Sequence, residues 1–231
     1  MKTGRIMQSK IYRILDYLLR LILLNALIVI PAFSFFFIYH LIDKEGNYQL
    51  SYLTLIPIFF WLIPSIVATT DVIKQYETDE TNTIFKDFFI SFKQNYLRSL
   101  LITIILVVVI ALLGNSIWYF FKYARKDTLH IIGFFLSVSI AFVVLLIVEQ
   151  IPLVMAYFKK IRVIEILKLS FIMAFKNLGT NIMIALVLIG IFSLDIAFNY
   201  LMILGGFSLP IYLAIKMSFK KYIKIYRKVE E

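Results

Sequence analysis

The chain has 231 residues, of which 61% are hydrophobic and 16% are charged, with a formal net charge of +10 at pH 7. The mean hydropathy is +0.90. This composition excludes a water-soluble domain, and basic residues placed between apolar runs argue against a nucleic-acid-binding protein. Cysteine is absent, which excludes disulfides, thiolate metal sites and cysteine nucleophiles. We therefore expect an integral membrane protein that has the lipid bilayer as a partner.

Apolar stretches long enough to cross a bilayer define the predicted elements. A span needs about 20 mostly apolar residues, because about 30 Å of hydrocarbon is crossed at 1.5 Å per residue. The last stretch, 177–219, is about twice that length, and we divide it at the polar segment 195–199. The sequence thus predicts an all-α, polytopic transmembrane helix bundle forming one domain over residues 1–231. Its six spans are predicted at 18–39, 52–70, 97–121, 132–158, 178–194 and 200–219.

The basic residues predict the orientation of the bundle. Twenty of the 24 Lys and Arg residues fall in the two termini and in the connections 71–98 and 159–176, which lie on one side of the predicted membrane. Positive charge accumulates on the cytoplasmic side of membrane proteins. We therefore predict a multi-pass protein of the cell membrane with both termini in the cytoplasm.

The connections on that side are amphipathic. Segments 84–96 and 161–176, and more briefly 11–20, place apolar and polar residues on opposite faces at helical spacing. Such helices lie in the headgroup plane, so the predicted architecture is three hairpins, each preceded by an amphipathic interfacial helix. Their aromatic side chains are candidates for docking a partner protein: Phe85, Phe88, Phe92, Phe171 and Phe175.

A Pro-x-x-x-Ala pattern occurs three times in the second half of an apolar stretch, each time followed by a lysine. Proline lacks the N–H that would bond the preceding turn and clashes with its own helix, so it frees backbone carbonyls. Three such kinks could form a hinge or a polar lining, but close packing of helices at the alanines is the favoured interpretation. The pattern comprises Pro64, Ala68, Pro152, Ala156, Pro210 and Ala214, followed by Lys74, Lys159 and Lys216.

Three segments together resemble the YesL-like membrane proteins, a bacterial family of undefined molecular function. The first runs from Trp61 through Ala68 into the Phe-rich connection 84–96, the second covers 151–177, and the third is the closing apolar hairpin with its Phe-Lys-Lys end. The chain departs from the family pattern at Ser65 and Thr69. The resemblance implies a multi-span bacterial membrane protein associated with carbohydrate uptake and utilisation, and it transfers no catalytic residue.

Polar residues inside the predicted spans are the remaining candidates for a site. Glu149 lies ten residues before Lys159, about 15 Å from the membrane edge, where an ionised side chain costs about 3 kcal/mol. With Gln150 beside it, it could bind a proton, a cation or a sugar hydroxyl, or it could be a structural carboxyl that joins helices. Asn25, Asn115 and Asn181 are expected to hydrogen-bond between helices.

Known enzyme signatures are missing from the sequence. It has no Gly-x-x-x-x-Gly-Lys phosphate loop, no Gly-x-Ser-x-Gly elbow and no His-Glu-x-x-His helix. His40 and His130 have no nearby acidic cluster, so we predict no metal and no cofactor.

Two functions remain open for this chain, acting alone or as a homo-oligomer. The favoured hypothesis is a non-catalytic accessory protein of carbohydrate uptake, docked to a membrane transporter or a regulatory partner. The alternative hypothesis is a small carrier or channel whose pathway passes near Glu149.

Overall fold

The protein is a bundle of α-helices. The computed structural model describes residues 10–44, 56–78, 83–124, 127–159, 161–176, 178–197 and 205–230, and every element within these ranges is helical, which confirms the all-α prediction. The helices are α1 (Lys10–Lys44), α2 (Ile56–Glu77), α3 (Ile84–Tyr123), α4 (Thr128–Tyr157), α5 (Val163–Lys176), α6 (Leu178–Ala197) and α7 (Ser208–Glu230).

Several of these helices are long and apolar enough to cross a membrane. Four helices qualify alone, and the pair α5 and α6, bent by 97° where they join, makes a fifth candidate if it is counted as one span. The predicted sixth span, 200–219, lies partly outside the described residues, and α7 covers only its second part. Six spans arranged as three hairpins therefore stay a prediction. The four candidates are Ile14–Tyr39, Pro57–Glu77, Ile84–Tyr123 and Thr128–Tyr157.

Two of the three predicted interfacial helices are not separate elements. Segment 84–96 is the first part of the 40-residue helix α3, and segment 11–20 is the first part of α1. Neither segment contains proline or glycine, so nothing in the backbone ends the helix where the polar face stops. Only α5 is separate, and Asn181 of α6 stabilises its bend by donating to the carbonyls of Met173 and Ala174, at 3.1 and 2.8 Å.

The buried residues concentrate at one end of the bundle, which carries Lys74, Lys159 and Lys216 and which we call the basic end. In α3 every buried residue lies between Phe88 and Leu106. In α4 all of them but Ser137 lie at or after residue 146. The remaining halves of these two helices, 107–123 and 128–145, form a hairpin with an exposed apolar surface, which we call the distal arm.

The three lysines that follow the Pro-x-x-x-Ala pattern all make contacts between helices. Lys74 donates to the carbonyl of Ala156 in the last turn of α4 (3.2 Å), where helix carbonyls lack partners. The ammonium group of Lys159 lies 3.2 Å from Asp71 of α2, and that of Lys216 lies 2.7 Å from Glu77 of the same helix. The repeated pattern therefore marks three helices, α2, α4 and α7, that contact one another at the basic end.

The structure divides the proline pattern by role. Pro64 and Pro152 lie inside α2 and α4 and remove a helical hydrogen bond. Pro210 lies in the first turn of α7, where the missing N–H has no helical acceptor. It therefore removes no helical hydrogen bond, contrary to the expectation of a kink there. The packing expected at the alanines agrees with their burial: Ala68 and Ala156 have no exposed surface, and Ala214 is 8% exposed.

The first turn of α7 is anchored inside the bundle by α1. Asn25 Oδ1 accepts hydrogen bonds from the backbone N–H groups of Phe207 and Ser208, at 2.9 and 3.3 Å. Because Asn25 lies eleven residues into the candidate span of α1, about 16 Å from its start, α7 begins deep in the apolar region. There, only a protein side chain can satisfy free backbone donors. The inter-helix role predicted for asparagine is thus confirmed for Asn25.

Candidate intramembrane binding site

A cavity of about 250 Å³ lies among α2, α3, α4, α6 and α7. Its wall is almost entirely apolar, with side chains such as Ile63, Leu106 and Leu188. Three members of the Pro-x-x-x-Ala pattern line it: Pro152 from α4, and Pro210 and Ala214 from α7. The structure therefore places parts of the repeated pattern around one internal space, which sequence spacing could not show.

Glu149 lines this cavity, and it is the one ionisable residue among the described residues of the wall. Its Oε1 accepts a hydrogen bond from Gln150 Nε2 at 3.3 Å. Its Oε2 is buried, and within the described part of the chain no donor reaches it. Glu149 lies inside the candidate span Thr128–Tyr157, eight residues or about 12 Å from its end. The cavity therefore presents one carboxyl oxygen with free hydrogen-bonding capacity.

Gln150, the next residue, also joins α4 to two other helices. It is completely buried, and its Nε2 donates to Asn181 Oδ1 of α6 at 3.1 Å. Its Oε1 accepts a hydrogen bond of 2.7 Å from the hydroxyl of Tyr222 in α7. The sequence paired Glu149 with Gln150 as one polar site; the two side chains are hydrogen-bonded, and Gln150 in addition joins three helices. Tyr222 was not predicted, because its position in a basic tail gave no sign that it is buried.

A layer of polar contacts lies at the basic end, next to the cavity. Asp71 is 1% exposed, and its Oδ2 accepts a hydrogen bond from Ser91 Oγ at 2.8 Å. The ammonium group of Lys159 lies 3.2 Å from the other oxygen, Oδ1, and forms an ion pair with it that lacks hydrogen-bond alignment. Glu77 accepts from Tyr17 OH at 2.6 Å and pairs with Lys216. We call these contacts of Asp71 and Glu77 the closing layer.

The cavity and the closing layer are adjacent along the chain. Thr70, which precedes Asp71, lines the cavity, and so does Ala214, two residues before Lys216. The layer continues around α3, where Asn95 donates to the carbonyl of Ser91 at 3.0 Å. Asp71 and Glu77 were not predicted as bonding partners, since both look like ordinary residues at the end of a span. Their only signal in the sequence was that they lie at the same end of the predicted spans as the lysines that follow the repeated pattern.

The predicted docking residues fall into two groups. Phe88 has no exposed surface and Phe92 is half-buried against Trp61, with ring centroids 4.8 Å apart. This burial removes Phe88 from the candidate docking surface, because amphipathic spacing showed a shared face but not what would cover it. The side chains that remain exposed near the basic end, together with the adjacent Phe89, form what we call the aromatic surface: Phe85, Phe89, Phe171 and Phe175.

The described residues include no group of three or more His, Cys, Asp or Glu side chains placed to hold a metal ion. His130 instead lies at the start of α4, with its ring nitrogen Nδ1 2.7 Å from Asp127 Oδ1. The hydrogen bond from His130 holds the pKa of Asp127 below its usual range. Asp127 also accepts from the backbone N–H of His130, so this pair caps a helix.

Residues 21–117 match the model of a protein family described as protein of unknown function, DUF624. No curated protein matches the chain, and no solved structure matches it. The matched segment is less than half of the chain and runs from α1 to the distal part of α3. It includes Asp71 and Ser91 but ends before Glu149. The match supports similarity to an uncharacterised family, and the likeness to the YesL-like proteins stays a resemblance.

Proposed function

We propose that this protein is a non-catalytic, multi-pass membrane protein that works as a small carrier with its binding site in the cavity at Glu149. The observation that carries the proposal is a 250 Å³ space, within apolar helices, that contains a carboxyl oxygen without a described donor. Protein interiors are close-packed, and a buried polar group without a partner costs free energy. A bundle with a purely structural role gains nothing from either feature.

The proposed orientation places the basic end in the cytoplasm of a bacterial cell. Its support is the positive-inside distribution of lysine and arginine. In that orientation the closing layer lies on the cytoplasmic side of the cavity. A carrier works by alternating access, so the ion pairs of Asp71 and Glu77 would have to separate when the cavity opens inward.

Thiol accessibility tests this proposal directly, because the chain has no cysteine of its own. We would place a single cysteine at Leu188, which lines the cavity, or at Leu186, which lies on the same helix, is 59% exposed and is not in the cavity wall. Both variants would be treated with a membrane-impermeant methanethiosulfonate cation, in whole cells and in inverted vesicles.

We expect Leu188→Cys to react from at least one side, since a carrier's pathway must meet water. Leu186→Cys should resist the reagent from both sides, because a thiol in lipid neither ionises nor meets the reagent. If Leu188→Cys is as unreactive as Leu186→Cys from both sides, the cavity is not a transport pathway and the carrier proposal is wrong.

A second candidate function rests on the aromatic surface. We propose, as the alternative, that Phe85 and Phe89 of α3 and Phe171 of α5 dock a partner in a carbohydrate-uptake system, as the family resemblance implies. These side chains are about half exposed at the basic end. Exposed aromatic residues are enriched in protein interfaces, although lipid headgroups also accommodate them.

Affinity purification from gently solubilised membranes tests the alternative. The variant Phe89→Ala should lose a stoichiometric transporter partner and keep its own insertion, because Phe89 is outside the core. Unchanged recovery of the partner would remove the aromatic surface from the candidates. Recovery of the protein without any partner, before mutation, would leave the carrier as the function to pursue.

A further inference from the structure

We propose that the cavity selects an apolar organic cation, such as a hydrophobic amine or quaternary ammonium compound, and not a sugar. This inference rests on the proposed function, since it names the class of ligand for the same site. It does not follow from the family resemblance, which points to carbohydrates.

The wall of the cavity offers few polar side chains to a sugar. Thr70 and Glu149 supply its polar side chains, and the other described lining residues are apolar or glycine. The hydroxyl of Thr70 already donates to the carbonyl of Ile66 at 2.8 Å. A sugar brings several hydroxyl groups, and each one buried without a partner costs binding free energy. An apolar body, in contrast, is stabilised by contact with this wall.

The free oxygen of Glu149 gives the cavity its selectivity for charge. Nearby cations are engaged elsewhere: Lys74 with the carbonyl of Ala156, Lys159 with Asp71 and Lys216 with Glu77. None of these three lysines lines the cavity. In an apolar site, a cation at contact distance favours the ionised form of a carboxyl group, because water screens the pair little. The ligand's positive charge would therefore pair with Glu149 Oε2.

The size of the cavity limits the ligand to a small molecule. An apolar protein cavity of about 150 Å³ holds a benzene molecule. The cavity here measures about 250 Å³. One aromatic ring carrying a short substituted ammonium group is therefore of suitable size, and benzyltrimethylammonium is a probe with that composition. Neopentylbenzene has the same shape, with a carbon atom in place of the charged nitrogen.

The test compares these two probes and glucose on the purified full chain in lipid nanodiscs. Binding would be measured as the rise of the unfolding temperature with probe concentration, because a ligand of the folded state stabilises it by mass action. Empty nanodiscs would give the correction for partitioning into lipid. The variants would be Glu149→Gln and, as a matched charge control outside the cavity, Asp127→Asn.

We expect the wild type and Asp127→Asn to bind the cation about tenfold more tightly than its uncharged isostere. Glu149→Gln should bind both probes with similar affinity, and its binding of the uncharged isostere would show that the site is folded. Equal binding of both probes by the wild type, or tighter binding of glucose, would overturn the cation inference and leave the carrier proposal standing. Failure of the wild type to bind any of the three probes would contradict the binding site itself.

Discussion

The basic end and the distal arm share the helices α3 and α4, yet these helices place polar and apolar side chains in opposite ways in the two regions. In α3 the small polar residues Ser91, Asn95, Ser99 and Thr103 recur at every fourth position and are buried. Beyond Leu106 the same helix exposes apolar side chains and buries none of its described residues. In water this pattern would be inverted. With lipid as the solvent, polar and small residues identify the fixed contacts between helices, and apolar residues identify the surface.

The largest effect should come from removing Asp71 at the basic end. Asp71→Ala leaves the buried hydroxyl of Ser91 without its acceptor and removes the ion-pair partner of Lys159, which is 45% exposed; losing a hydrogen bond to a buried charged group costs up to about 3 kcal/mol. We expect a loss of unfolding free energy near this value in detergent-induced unfolding. Asp127→Ala, at the N-cap of α4 beside the distal arm, is the matched variant, and its effect should be much smaller. Equal losses for both variants would show that the closing layer is no more stabilising than a surface cap.

The neighbours Phe88 and Phe89 allow the same comparison for apolar side chains. Phe88 is completely buried and Phe89 is 52% exposed. Lipid is as apolar as the core, so Phe88→Ala loses chiefly packing contacts, and we expect a cost of about 2 kcal/mol. Phe89→Ala should leave the unfolding free energy almost unchanged. A larger loss for Phe89→Ala than for Phe88→Ala would mean that the other face of α3 is the buried one.

A smaller effect should follow from removing one asparagine from each region. Asn181 bonds Gln150 and two carbonyls of α5, whereas Asn115 lies on the exposed surface of α3. We expect Asn181→Ala to cost about 1 kcal/mol, which is typical of hydrogen bonds between membrane helices. Asn115→Ala should have no measurable effect on unfolding. If both variants unfold alike, the bend between α5 and α6 does not depend on the asparagine amide.

The fluorescence of the two tryptophans measures contact with lipid and not stability. Trp118 in the distal arm is 61% exposed, and Trp61 packs against Phe92. In bilayers of brominated lipid, the variant that keeps only Trp118 should be quenched more strongly than the variant that keeps only Trp61. The reverse order would mean that the distal arm is covered, for example by a second copy of the chain.

Particular residues show how far the sequence could predict this protein. Length and hydropathy predicted the spans near 18–39, 97–121 and 132–158, because the thickness of the bilayer fixes how many apolar residues a span needs. The same rule could not separate interfacial helices from spans, since amphipathic spacing continues smoothly into α3. The rule also placed Glu149 deep in the membrane. It could not show that Gln150 also bonds Asn181 and Tyr222.

The sequence by itself determined that the chain is helical and apolar, and that one end of its helices is basic, because these properties follow from composition and local period. Only the tertiary structure decided that the lysines after the three Pro-x-x-x-Ala segments meet Ala156, Asp71 and Glu77. It alone decided that Phe88 is core while Phe89 is surface. Contacts between residues 60 to 182 positions apart depend on how helices pack, and packing is fixed by shape complementarity across the whole bundle. The cavity at Glu149 is a property of that packing, which no single segment encodes.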